Sequence, residues 1–138
     1  MHYLEPGSLD SKDIDPENLE VLVVDDSFTA RKHIKRVLGS MGIQKLSEAE
    51  NGLEAVDIIK SKSFDLIVTD YNMPEMDGKQ LVEHIRNNSD HKTIPVLMVS
   101  RESDDNRLAA VQQAGVSAIC DKPFEPQTVK DLLVKMLA

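Results

Sequence analysis

The sequence predicts a doubly wound α/β domain, a five-stranded and mainly parallel sheet with helices on both faces. Three observations predict it. Apolar runs of strand length alternate five times with stretches whose apolar residues recur at helical spacing. The connections are too long for hairpins and of the right length for crossover helices. Most of the strand runs are continuously apolar rather than alternating, as strands covered on both faces require. In such a sheet the carboxyl ends of the strands share one edge, where ligands and chemistry gather.

Residues 1–18 mix Pro6, Gly7, Ser8, Ser11 and Pro16 with five acids and show no apolar period. They read as an acidic flexible tail or linker, suited to joining another domain, with a single domain following over 19–138. Leu19 to Asp25 is the first expected strand, ending in the acids Asp25 and Asp26. Ser27 can cap the helix that follows, in which Ile34, Val37, Leu38 and Met41 share one face and which Gly42 ends. Arg31, Lys32, Lys35 and Arg36 are expected on its opposite, solvated face. Gln44 to Glu50 is more polar, which suits an edge strand. Asn51 and Gly52 turn the chain into a helix carrying Leu53, Val56 and Ile59.

Leu66, Ile67 and Val68 form the central strand, which ends at Asp70. Tyr71 to Gly78 holds a proline, an asparagine and an Asp-Gly pair, so the chain must turn before the next helix, marked by Leu81, Val82 and Ile85. Ile94 to Ser100 is another apolar strand and ends in a hydroxyl. Asp104 and Asp105 suit the first turn of a helix carrying Leu108 and Val111 and ending at Gly115. Ser117 to Asp121 is a short fifth strand, followed by Lys122 and Pro123. Pro126 starts a last helix with Val129, Leu132, Leu133 and Met136 on one face.

The chain's 138 residues are enough for one domain with a sizeable core, and with three Phe, two Tyr and no Trp that core must be aliphatic. Half of the net charge of −8 lies in the first 18 residues, so the domain itself is only mildly acidic. Neither part offers the basic footprint of a nucleic-acid or anionic-membrane binder. One cysteine excludes an internal disulfide, and no apolar run approaches a signal peptide or membrane span, so the cytoplasm is the expected compartment. His2, His33, His84 and His91 are scattered and read as surface or interface residues. Cys120 reads as a small strand residue, Phe124 as core, and Tyr71 equally as a packed loop aromatic or a partner contact.

The topology brings Asp25, Asp26, Asp70, Ser100 and Lys122 to one edge from four strands. Crowded carboxylates repel one another unless a cation lies among them. Oxygen ligands with no usable His or Cys select Mg²⁺ or a close relative. Three carboxylates, one Mg²⁺ and one ammonium sum to zero, so an incoming phosphoryl group meets cations already in place. A carboxylate that takes the phosphoryl group becomes an aspartyl phosphate. Taken singly, Asp70 and Ser100 could be turn or cap residues and Lys122 a surface cation; their joint placement argues for a site.

Val-Val-Asp25-Asp26-Ser, Val-Thr-Asp70-Tyr-Asn-Met-Pro-Glu-Met-Asp-Gly, Val-Ser100 and Asp-Lys122-Pro-Phe resemble the receiver domain of two-component response regulators. The resemblance covers 19–137 and within the family is strongest to the single-domain chemotaxis regulators. It implies a flavodoxin-like sheet of order 2-1-3-4-5. It also implies that Asp70 takes a phosphoryl group from a histidine kinase, a phosphotransfer protein or a small phosphodonor. Asp26, Asp70 and the Asn72 carbonyl would bind Mg²⁺ directly, with Asp25 acting through water. Ser100 and Lys122 would bind the phosphoryl oxygens, while Asn72 and Glu102 would tune dephosphorylation by water. No stand-alone enzyme is implied, only promotion of the domain's own phosphoryl transfer and autodephosphorylation. Ile119 departs from the family, since receivers commonly carry there a Tyr or Phe that reorients on activation, and Arg101 is bulkier than the small residue common beside the hydroxyl. The expected readout therefore runs through the loop after Ser100 and a surface of Arg101, Leu108 and Ile119, with an effector protein docking on the last helix-strand-helix face.

Rival functions fit less well. An aspartate-based phosphatase of the haloacid dehalogenase type needs an acid two residues after the nucleophile, and Asn72 stands there. A calcium loop beginning at Asp70 has Pro74 at a ligand position. Asp-Asp-Ser-Phe is not a glycine-rich nucleotide turn. A phosphorylation-independent interaction module with the same fold is the remaining alternative. No DNA-binding, enzymatic or kinase segment is read after Ala138, so output is expected through a partner protein or through domains absent from this chain.

Overall fold

The computed structural model describes residues 15–87, 93–100, 105–121 and 124–137. Five strands, β1 (Glu20–Val24), β2 (Lys45–Ala49), β3 (Leu66–Asp70), β4 (Val96–Ser100) and β5 (Ala118–Asp121), alternate with five helices, α1 (Phe28–Ser40), α2 (Gly52–Ser61), α3 (Gly78–Asn87), α4 (Asp105–Ala114) and α5 (Pro126–Leu137). Every strand pair is parallel and the order is β2-β1-β3-β4-β5, as expected. β3 has its expected bounds, and the other four strands are one or two residues shorter than expected. β4 starts at Val96 rather than Ile94 because Pro95 has no amide to give the ladder, although its carbonyl accepts from Ile67.

Alternation along the strands sorts the core into two layers. Val21, Val23, Leu66, Val68, Leu97, Val99 and Cys120 face α1 and α5, meeting Ile34, Val37, Leu38, Met41, Val129 and Leu133, with Phe124 buried among them. Leu22, Val24, Ile67, Val96 and Met98 face α2 and α3 through Ala55, Val56, Ile59, Leu81, Val82 and Ile85. Each such side chain contributes about 1.5–3 kcal/mol by leaving water. β2, exposed or half-buried except at Ala49, is an edge strand, as is β5. Leu53 departs from expectation: at 47% exposure it lies outside the buried stripe of α2, which runs instead through Ala55, Val56 and Ile59.

Local chemistry sets the helix ends. Ser27 Oγ accepts from the Ala30 amide and Asn51 Oδ1 from the Glu54 amide, each capping its helix. Asp77 and Gln80 bond reciprocally, main chain to side chain, at 2.8 and 3.0 Å at the start of α3. Gly42 and Gly115 follow α1 and α4 with φ of 93° and 105°, as their C-terminal turns require. Asp15 caps a single 3₁₀ turn, Pro16–Asn18, that enters β1.

The amino edge of the sheet is stitched by side chains. Arg86 of α3 donates to the carbonyls of Gly115 at 2.8 Å and Ile94 at 2.6 Å, and Ser117 Oγ accepts from the Val96 amide. Glu20 and Asp65 pair there as well, the Glu20 amide donating to the Asp65 carboxylate and the Asp65 amide to the Glu20 carbonyl. No helix among the described residues is long and apolar enough to cross a membrane.

Candidate functional site

The carboxyl edge carries the acids. Asp25 follows β1 directly and is fully buried, Asp26 is exposed, and Asp70 ends β3 at 5% exposure. Carboxylate oxygens of these three residues lie within 4.8 Å of one another, the only such group of potential metal ligands among the described residues. The convergence follows from register: Val24 pairs with Thr69, so the residues after them, Asp25 and Asp70, leave the sheet side by side.

Each acid is held. The Asp25 amide donates to the Ala49 carbonyl of β2, and its Oδ1 accepts from the Ser27 amide at 2.9 Å. Asp70 Oδ1 accepts from the Tyr71 amide at 2.9 Å. The following loop is drawn back by the Gly78 amide, which donates to the Tyr71 carbonyl at 2.8 Å. At Gly78 a side chain has no room, because a Cβ would meet the Asp70 carbonyl oxygen and lie 2.8 Å from Met98 Sδ. Within this loop Glu75 takes a left-handed φ of 68°.

Ser100 ends β4 and is buried, one residue beyond Val99, the partner of Asp70. Asn72 is exposed in the loop after Asp70. Ile119 lies on β5 opposite Met98, half-buried against the α2 and α3 layer, and Tyr71 packs against the same layer, as a packed loop aromatic does. Lys122, Glu102 and Arg101 lie outside the described residues, as do the side chain of Leu108 and Asp104. His33 and His84 are exposed, and His33 Nε2 lies 3.2 Å from the Phe124 carbonyl.

Arg31 corrects an expectation. It is 6% exposed rather than solvated, and its Nη1 donates to the Asp25 carbonyl at 2.6 Å while its Nε donates to Glu48 Oε1 at 3.0 Å. Lys35 is also paired, donating to Glu48 Oε2 at 3.0 Å. The Lys35 hydrogen bond, reinforced by Arg31 and opposed by burial, holds the Glu48 carboxyl below the usual carboxylate range. The sequence carried a signal: Arg31, Ile34 and Leu38 stand at i, i+3 and i+7, which places Arg31 on the buried stripe.

Three hard oxygen donors, two of them buried and with no sulfur or imidazole among them, fit a small divalent cation of the Mg²⁺ kind rather than zinc. Their placement beside a buried hydroxyl at the end of the next strand suits stabilisation of a transferring phosphoryl group.

The sequence matches the response regulator receiver domain over residues 21–134. It is 38% identical over 120 residues to chemotaxis protein CheY-3 of Vibrio cholerae, covering 87% of this chain and 92% of that one. The same identity holds to the chemotaxis protein CheY homolog of Campylobacter jejuni, over 86% of this chain and 92% of that one. The structure of the chemotaxis response regulator CheY4 of Vibrio cholerae superposes with a TM-score of 0.79 at 32% identity, covering 86% of this chain and 98% of that one. Sheet order, acidic edge and sequence match agree: the chain belongs to the receiver domain family of two-component response regulators, with a CheY-like fold and a phosphoacceptor role in signalling.

Proposed function

We propose that Asp70 is the phosphoacceptor. One carboxylate oxygen attacks the phosphorus of a phosphohistidine on a histidine kinase or phosphotransfer protein, or of a small acyl phosphate. The new O–P bond forms as the bond to the donor's nitrogen or oxygen breaks, and the electron pair leaves with the donor. The convergence of Asp25, Asp26 and Asp70 at the end of a fully buried strand is the observation that carries this. Packing alone gives no reason to collect three acids there, and they repel one another.

Asp26, Asp70 and the Asn72 carbonyl would hold Mg²⁺, with Asp25 behind them, and the ion would supply positive charge to the phosphoryl oxygens. Ser100 and Lys122 bind those oxygens, the hydroxyl by donating and the ammonium by pairing. Asn72 and Glu102 govern the approach of water and so the lifetime of the acyl phosphate. Ile119 fills its place on β5 as an aliphatic residue, so the readout uses movement of the loop after Ser100 and of the α4-β5-α5 face, which an effector protein reads. The phosphoryl group acts by favouring one of two pre-existing surfaces. We place the domain in the cytoplasm, with residues 1–18 as a tail or linker.

Intact mass after incubation with Mg²⁺ and acetyl phosphate tests this. Gain of one phosphoryl group that is lost in Asp70→Asn and in a sample with chelator is expected. Absence of any gain with several donors would favour a phosphorylation-independent interaction module.

A further inference from the structure

We infer that Arg31 is a positioning residue for the acidic pair, its guanidinium holding the peptide that joins Asp25 to Asp26 and so fixing the direction in which Asp26 is presented. The inference rests on the proposed metal site and concerns how this chain prepares it. Asp25 is the first residue beyond β1, and its amide and side chain are held by Ala49 and Ser27. Its carbonyl belongs to the next peptide, the one that carries Asp26. Arg31 Nη1 takes that carbonyl at 2.6 Å. Rotation of this peptide plane would swing the Asp26 carboxylate away from Asp25 and Asp70 while leaving the β1 ladder intact.

The guanidinium is itself fixed. Its Nε bonds Glu48 on β2 at 3.0 Å, and Glu50 lies 3.9 Å from Nη2. Glu48 is anchored a second time by Lys35, one turn further along α1. The planar fork thus spans two elements and the acidic turn, which a single ammonium point cannot reproduce. Burial makes the arrangement rigid, because the guanidinium of a residue at 6% exposure keeps its partners rather than exchanging them for water.

A purely structural role, joining α1 to β2, would lower stability without touching metal affinity. Isothermal titration of the full chain with MgCl₂ separates the two. Arg31→Met, Arg31→Lys and Glu48→Gln are compared with wild type at a temperature where urea melts show each folded. Arg86→Met, at the opposite edge of the sheet, serves as a control for destabilisation alone. Both Arg31 variants are expected to weaken Mg²⁺ binding by about tenfold or more, the range seen for outer partners of metal ligands. Glu48→Gln weakens it less, and Arg86→Met leaves it unchanged. Should Arg31→Met fail to fold, Arg31→Lys decides the matter. Folded Arg31 variants with wild-type affinity overturn the inference and leave the metal site standing. Wild type that takes up no Mg²⁺ overturns the metal site and the inference with it.

Discussion

Gly78→Ala and Gly39→Ala make the same chemical change in two helices and should move stability in opposite directions. At Gly78 the added methyl would overlap the Asp70 carbonyl oxygen, lie 2.8 Å from Met98 Sδ and 3.0 Å from the Tyr71 Cα. Two of those three atoms are backbone, so relief requires the start of α3 or the end of β3 to move. Such overpacking costs about 1–3 kcal/mol, against a helix-propensity gain of at most about 1 kcal/mol. A net loss of about 1–2 kcal/mol follows, or roughly 4–8 °C in Tm for a domain of this size. At Gly39, on the exposed face of α1, a Cβ meets nothing within 4 Å. There only the propensity gain of about 0.5–1 kcal/mol remains. With no Trp in the chain, urea melts followed by far-UV circular dichroism are the suitable assay. Because the clash falls on the Asp70 carbonyl, acetyl phosphate labelling of Gly78→Ala should also slow, since displacement of a reacting group by about 1 Å can cost 10²-fold. Gly78→Ala as stable as wild type would refute the close approach described here.

Acidification tests Glu48. Its carboxyl is held below the ordinary carboxylate range, so its contribution to stability is complete above that range and is lost as pH falls through the lower folded value. The stability gap between wild type and Glu48→Gln should narrow on that descent, by an amount on the order of 1 kcal/mol or less because the side chain is partly solvated; an unchanged gap would exclude the Lys35 and Arg31 pairing. Burial, helped by Asp121 and Glu125, pushes the Cys120 thiol up, so labelling by a disulfide reagent should be at least ~100-fold slower in the native protein than in urea. Rapid native labelling would contradict its burial. Glu75→Asn should stabilise by a few tenths to about 1 kcal/mol, since Asn tolerates the left-handed φ of 68° better, and urea melts would show it. Leu22→Ala, in the centre of the sheet, should cost about 2–5 kcal/mol in the same melts.

The β1, β3 and β4 strands were legible because they are buried on both faces, so local composition alone reports their environment. The cap at Ser27, the turn into α2 at Asn51 and the glycines at 42 and 115 were legible for a similar reason, each being a response of one residue to a backbone requirement beside it. Asp25, Asp26 and Asp70 could be placed together once the strands were parallel, since register then carries the acids to one edge. The burial of Arg31 is not local, because it depends on Glu48, which reaches it only after β2 pairs with β1; the helical period holds the hint, and Lys32, Lys35 and Arg36 mask it. Leu53 departs in the opposite sense, since apolar character alone does not establish burial. The reciprocal bonds of Asp77 and Gln80 follow the capping-box spacing, with Asp where Ser or Thr is usual. Nothing local marked Glu75 for a left-handed backbone or Arg86 for its carbonyl partners.

The stitching by Arg86, Ser117, Glu20 and Asp65 lies at the amino edge, while the acids stand at the carboxyl edge. The covalent chain passes through both edges, but the two are subject to separate demands. Loops at the carboxyl edge that leave Gly78 in place can be rewritten without unfastening the sheet, so chimaeras that borrow those loops from relatives should keep the host's melting behaviour. The same division gives natural drift a safe place to act: the loops at one end of the strands can diverge while the other end preserves the fold that makes divergence survivable.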